Sequence, residues 1–173
     1  MLEGVLIAAE RFARLGAVIR GLTRALVLPT MLDPDEHVFA VSTGGAGRAG
    51  FDIESDRRVA CLRLTRGARA GEDRSGLVSD LVRLAGDSVP RRAELYVLGE
   101  WAEDALRSEA SIGSALGRFP GRPGAFRTHF GDPAVPIAAF LEGPGARVRI
   151  IDLGPRLFRI IGRGAPDDPR PQS

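Results

Sequence analysis

Asp52 and Glu54 stand two residues apart in the segment FDIES. On a strand, that spacing sends both carboxylates out of one face while Phe51 and Ile53 turn to the other, toward a core. Two carboxylates on one face can hold a hard divalent cation such as magnesium. In the next apolar run, VACLRL, Cys61 and Arg63 share a face of their own. Asp52 and Glu54 are therefore the candidate metal ligands. The same pair of carboxylates also fits the solvated side of an ordinary strand, matched by nearby arginines.

Other chemistries find no footing. Gly45, Gly47 and Gly50 have the spacing GxGxxG. A strand follows them, and without a helix N-terminus to face a pyrophosphate they read as a turn. All 24 basic residues are arginine, so the lysine of a Walker-type phosphate loop is missing. No GxSxG elbow occurs, and the two histidines, His37 and His129, lie beside no recognisable nucleophile. Cys61 is the single cysteine, which excludes an internal disulfide, and two histidines and one cysteine cannot build a structural zinc site. Its apolar surroundings suit a small buried hydrophobe better than a reactive thiolate.

Twenty-four arginines against 22 acidic residues leave a net charge of +2, too little for a wholly basic nucleic-acid-binding surface. The absence of lysine, with 22 glycines, fits a GC-rich genome that favours arginine codons. No apolar run near the start is long enough for a membrane span and no cleavable leader is visible, so a cytoplasmic protein with no membrane partner is expected. At 173 residues and 44% hydrophobic, a single domain over 1–161 with a loose tail over 162–173 is the expectation.

The elements that must position these residues can be read from periodicity. Val5, Ala8, Phe12, Leu15, Ile19, Leu22 and Leu26 recur at helical spacing. Residues 37–42 alternate as a strand, and the runs 51–54 and 58–65 form a hairpin about the turn Ser55, Asp56 and Arg57. After a polar loop over 67–74, Ser75 can cap a helix that buries Leu77, Val78, Leu81, Leu84 and Ala85 and ends at Gly86. A buried strand is expected over 94–99 and a helix over 100–116, followed by a loop over 120–125. The rest reads as β-rich, with strands over 135–141, 147–153 and 157–161. The fold class is α/β, with a mixed sheet of the α+β kind.

This order, with the segments FDIES, VACLRL and SGLVSDLVRLAG, resembles the PD-(D/E)xK restriction-endonuclease-like superfamily over about residues 5–99. The resemblance implies an αβββαβ core, here with a β-rich C-terminal extension. It implies an aspartate near the second strand and an E-x-K triplet on the third, which bind magnesium and activate water for phosphodiester hydrolysis. Asp52 matches the aspartate, and the triplet falls on Cys61, Leu62 and Arg63. Cysteine removes a hard oxygen ligand, and arginine cannot readily act as a base.

Three functions follow as expectations. The first is a catalytically degenerate nuclease-like domain serving as a binding, regulatory or structural subunit beside a protein partner or a second copy of itself. The second is an active magnesium-dependent nuclease with a rearranged site, in which the catalytic residues would be Asp52 and Glu54, carrying the metal, and Arg63, stabilising the phosphorane-like charge. In either, Arg57, Arg58, Arg66, Arg69 and Arg74 supply a basic edge that can meet nucleic-acid phosphates. The third is an α+β component of a larger assembly, pairing through exposed strands near the C-terminus.

Overall fold

The computed structural model describes residues 18, 21, 23–41, 50–64, 70–99, 101–117 and 122–163. Five strands form one sheet in the order of the chain: β1 (Val38–Val41), β2 (Ile53–Ser55), β3 (Arg58–Arg63), β4 (Arg92–Val97) and β5 (Val148–Asp152). The first three make an antiparallel meander, and β3, β4 and β5 then run parallel. Among the described residues six α-helices accompany them: α1 (Ala70–Ala85), α2 (Trp101–Leu106), α3 (Ile112–Leu116), α4 (Arg122–Phe130), α5 (Ile137–Glu142) and α6 (Gly154–Arg163). The mixed α/β class expected from the sequence is the class observed.

The near-continuous apolar runs of β3 and β4 have a direct cause, since both faces of the sheet are covered. Val59, Cys61, Ala93, Leu95 and Val97 lie in one buried cluster with Leu77, Val78, Leu81 and Leu84 of α1. The alternate residues Ala60, Leu62 and Tyr96 lie in a second cluster with Val27, Leu28, Leu153 and Leu157. Phe51 belongs to the first cluster and Ile53 to the second. They do not share a face, because the strand begins only at Ile53 and Asp52 sits in a bend before it.

Several boundaries differ from expectation. The opening helix falls largely outside the described residues; its end is a π-helical turn, Thr23–Val27, passing into a 3-10 turn, Leu28–Thr30. The helix expected from Ser75 starts at Ala70. The helix expected over 100–116 is two helices. Around the break, Ser108 Oγ accepts from Ala110 N at 3.3 Å, and Ser111 Oγ caps α3 by accepting from Ser114 N at 3.1 Å.

The β-rich C-terminal extension is the main correction. Of the three strands expected there, only β5 forms; the other two segments are α5 and α6. Short apolar runs do not distinguish helix from strand, and here local chemistry decides. Pro136 caps α5, Ile137 and Phe140 are buried three residues apart, and two alanines lie between them. Pro155 begins α6, where Asp152 Oδ1 accepts from Gly154 N at 2.8 Å. The loop expected over 120–125 is helical from Arg122 for the same reason, with Pro123 at its second position. The tail beyond residue 163 lies outside the described residues. No helix among the described residues is long and apolar enough to cross a membrane.

Candidate functional site

On the α1 side of the sheet, Asp52 is fixed by the hairpin itself. Its backbone N donates to Ala60 O at 2.9 Å, and its carboxylate Oδ2 accepts from Leu62 N at 2.8 Å. Two positions along β3 from Cys61, Arg63 reaches across to α1 and pairs through Nε with Asp80 Oδ2. The other oxygen of Asp80 accepts from Arg83 Nη2 one turn further along the helix. Arg83 also donates to Cys61 Sγ at 3.3 Å and lies 5.7 Å from the Phe51 ring centroid, within cation–π range. Asp52, Cys61, Arg63, Asp80 and Arg83 are thus one cluster.

Two glycines make room for its guanidinium groups. A Cβ on Gly76 would stand 2.9 Å from Arg63 Nη1, and one on Gly50 would stand 2.8 Å from Arg83 Nη1. Gly50 also has φ +78, a left-handed conformation that side chains resist. The last glycine of the GxGxxG spacing is therefore explained by backbone conformation and by the arginine lying on it; Gly45 and Gly47 lie outside the described residues.

Electrostatics bind the cluster together. Burial pushes the Cys61 thiol up to about 12, the carboxylates of Asp80 and Asp52 add to the rise, and Arg83 opposes it. At neutral pH the sulfur is therefore a protonated, fully buried thiol and not a ligand or nucleophile. Burial disfavours the charged form of Arg63, but Asp80 and Asp52 outweigh it and hold the guanidinium above the usual arginine value.

Glu54 takes no part in the cluster. Its Oε1 accepts from Arg91 Nη2 at 3.0 Å, and the same arginine holds Asp87 Oδ2 at 3.0 Å and Ser55 O at 3.0 Å. Among the described residues there is no group of three or more histidines, cysteines, aspartates or glutamates that could hold a metal ion. Nor do the residues present fit magnesium at the expected place. One carboxylate has gone to Arg91, and the two that remain, Asp52 and Asp80, lie among two guanidinium groups that already balance their charge.

The arginines expected to meet phosphates are dispersed. Arg57 is exposed and pairs with Asp33 at 3.6 Å, Arg74 is half-buried, and Arg66 and Arg69 lie outside the described residues. Arg58 faces the interior on the opposite side of the sheet, at 2% exposure, and is not available to a nucleic acid. Its Nε and Nη2 donate to the two oxygens of Glu36 at 2.6 Å each, Nη1 to Glu94 at 3.1 Å and to Tyr96 Oη at 3.2 Å, and Nη2 also to Met31 O at 2.8 Å. The turn residue before it hides this fate, since nothing local marks a buried partner thirty-odd residues away.

Sequence reasoning missed Asp80, Arg83 and Arg91. The first two had a local signal, an acidic and a basic residue three apart beside the apolar stripe of α1. Arg91 had none, because its partner Glu54 lies 37 residues earlier. No family model, curated protein or solved structure matches this chain.

Proposed function

We propose that this chain is a nuclease-like domain without standard nuclease activity, acting as a binding, regulatory or structural subunit. The reading is supported by the order β1, β2, β3, α1, β4, which agrees with the core that the PD-(D/E)xK resemblance implies, and by the electrostatic influence of Asp52 on both Cys61 and Arg63. The observation that carries the reading is the pairing of Arg63 and Arg83 to the two oxygens of Asp80, with the Asp52 carboxylate also acting on Arg63. A divalent cation entering there would have to displace guanidinium groups already held by the same oxygens. Titration calorimetry with magnesium or manganese is expected to show no saturable heat, and supercoiled DNA is expected to stay uncut with either metal. Saturable binding that disappears in Asp52→Ala would instead support an active nuclease with a rearranged site.

A protein partner, a second copy of the chain included, is favoured by the sheet edge. Among the described residues β1 pairs only with β2, and Phe39 and Val41, two apart on it, are 67% and 49% exposed. The strand expected to pair near the C-terminus, β5, is the other edge, but its solvent-facing residues Arg149 and Asp152 are charged. Sedimentation velocity is expected to show concentration-dependent association that Phe39→Glu abolishes. A strict monomer at every concentration would sink the self-association half of this reading.

A further inference from the structure

A concavity on the α1 side borders the cluster around Asp80 and shares Arg83 with it. It is an open cleft of about 320 Å³ between α1 and α4, lined by Ser79, Val82 and Arg83 on one wall and by Arg122, Phe126 and His129 on the other, with Phe130 and Leu116 at its apolar end. Its volume falls at the small end of the range for ligand pockets, about 300–1,000 Å³.

Its polar groups point to a ligand. Ser79 is only 3% exposed, yet its Oγ has no hydrogen-bond partner among the described residues, and the same is true of the buried Nε of Arg83. A buried polar group left unpaired costs about 1–3 kcal/mol, which makes two such donors on one cleft unusual in a structure without a ligand to use them. With Arg122 and His129 opposite, every polar side chain on the cleft can donate a hydrogen bond, and among the described residues no carboxylate lines it. The remaining surface is apolar and includes Phe126 and Phe130, whose rings lie tilted with centroids 5.2 Å apart.

We propose that this cleft binds a small organic anion, a phosphate or carboxylate carried on a flat apolar body. The anionic oxygens accept from Ser79 Oγ, Arg83 and Arg122, and the body lies against Phe126 and Phe130. This does not rest on the nuclease-like reading, since none of these contacts needs Asp52 or a metal.

The test is calorimetric titration of the full chain with phenyl phosphate, with phenol and inorganic phosphate as the two halves of the probe. Phenyl phosphate is expected to bind saturably and about tenfold or more tighter than either half, as one or two charge-assisted hydrogen bonds and one aromatic contact imply. Ser79→Ala and Arg122→Gln are each expected to weaken it about tenfold. Ser79→Ala should do so without lowering the melting temperature, because it removes a hydroxyl that has no hydrogen-bond partner among the described residues. Absence of saturable heat, binding undiminished in both variants, or inorganic phosphate binding as tightly as phenyl phosphate would each overturn the proposal.

Discussion

Replacing Arg58 with methionine is expected to lower the free energy of unfolding by about 3–5 kcal/mol, measured by urea denaturation at neutral pH. The side chain is 3% exposed, and the carboxylates it serves, Glu36 and Glu94, are 0% and 3% exposed. Without the guanidinium, the buried carboxyl groups of Glu36 and Glu94 lose the donor they share, and so does Tyr96 Oη, which itself donates to Glu94. The cost comes from the stranded partners more than from the lost pair, so adding Glu36→Gln and Glu94→Gln to Arg58→Met should recover a large part of the loss.

The same network sets an acid limit on the fold. Burial alone would raise the Glu36 carboxyl, but hydrogen bonds from Arg58, Ser55 and the backbone of Asp33 outweigh it and hold the group at about 2, below its ordinary 4.5. A lowered value means that the folded protein holds this proton more weakly than the unfolded chain does. The stabilisation is therefore full above pH 4.5 and is lost as pH falls toward 2. Melting temperature measured across that window should fall steeply in the native protein and less steeply in Glu36→Gln. Equal slopes would remove Glu36 from the account.

Phe140→Ala is the second large effect, expected to cost about 3–5 kcal/mol and on the order of 10 °C in melting temperature. Phe140 is 1% exposed and completes a triangle of rings, 5.5 Å from Phe126 and 5.3 Å from Phe130, edge-on to the latter. Removing it leaves α4 and α5 facing a void that neither short helix can collapse to fill. The exposed Ala138, two positions before it, should accept substitution by serine within about 0.5 kcal/mol, and a large loss there would contradict the helical placement of this segment.

The contrast between Phe140 and Arg58 shows what could be read from the chain and why. The meander, the helix after it and the fourth strand were legible, because each is a long or strongly patterned apolar run with turn residues at its ends. The segment around Phe140 was not, since IAAFL is apolar without a break and its helical state is set by Pro136 and by packing on α4. The site divides in the same way. Asp52 could be found on the hairpin from spacing and Arg63 from the family resemblance, whereas Glu54 was assigned to a metal because its true partner, Arg91, is brought in by tertiary folding. Arg58 followed a polar turn and had every local mark of a surface residue. Its burial comes from Glu36 and Glu94, which approach it only when the sheet has formed.

The position of β4 has a consequence for how this protein is made. Both of its ladders are parallel, so each neighbour is separated from it by a long excursion of chain, and the segment between β4 and β5, 98–147, is the longer of the two. During synthesis, β1 to β4 can assemble on a ribosome while β5 is still unmade. At about 5–20 residues per second those roughly fifty residues take on the order of 3–10 s. For that interval the apolar run of β4 presents an open edge with unpaired backbone, and Leu153 and Leu157 are not yet present to close the second cluster. The nascent chain therefore passes through a sticky, half-built sheet that the finished protein no longer exposes, and chaperone demand should peak there.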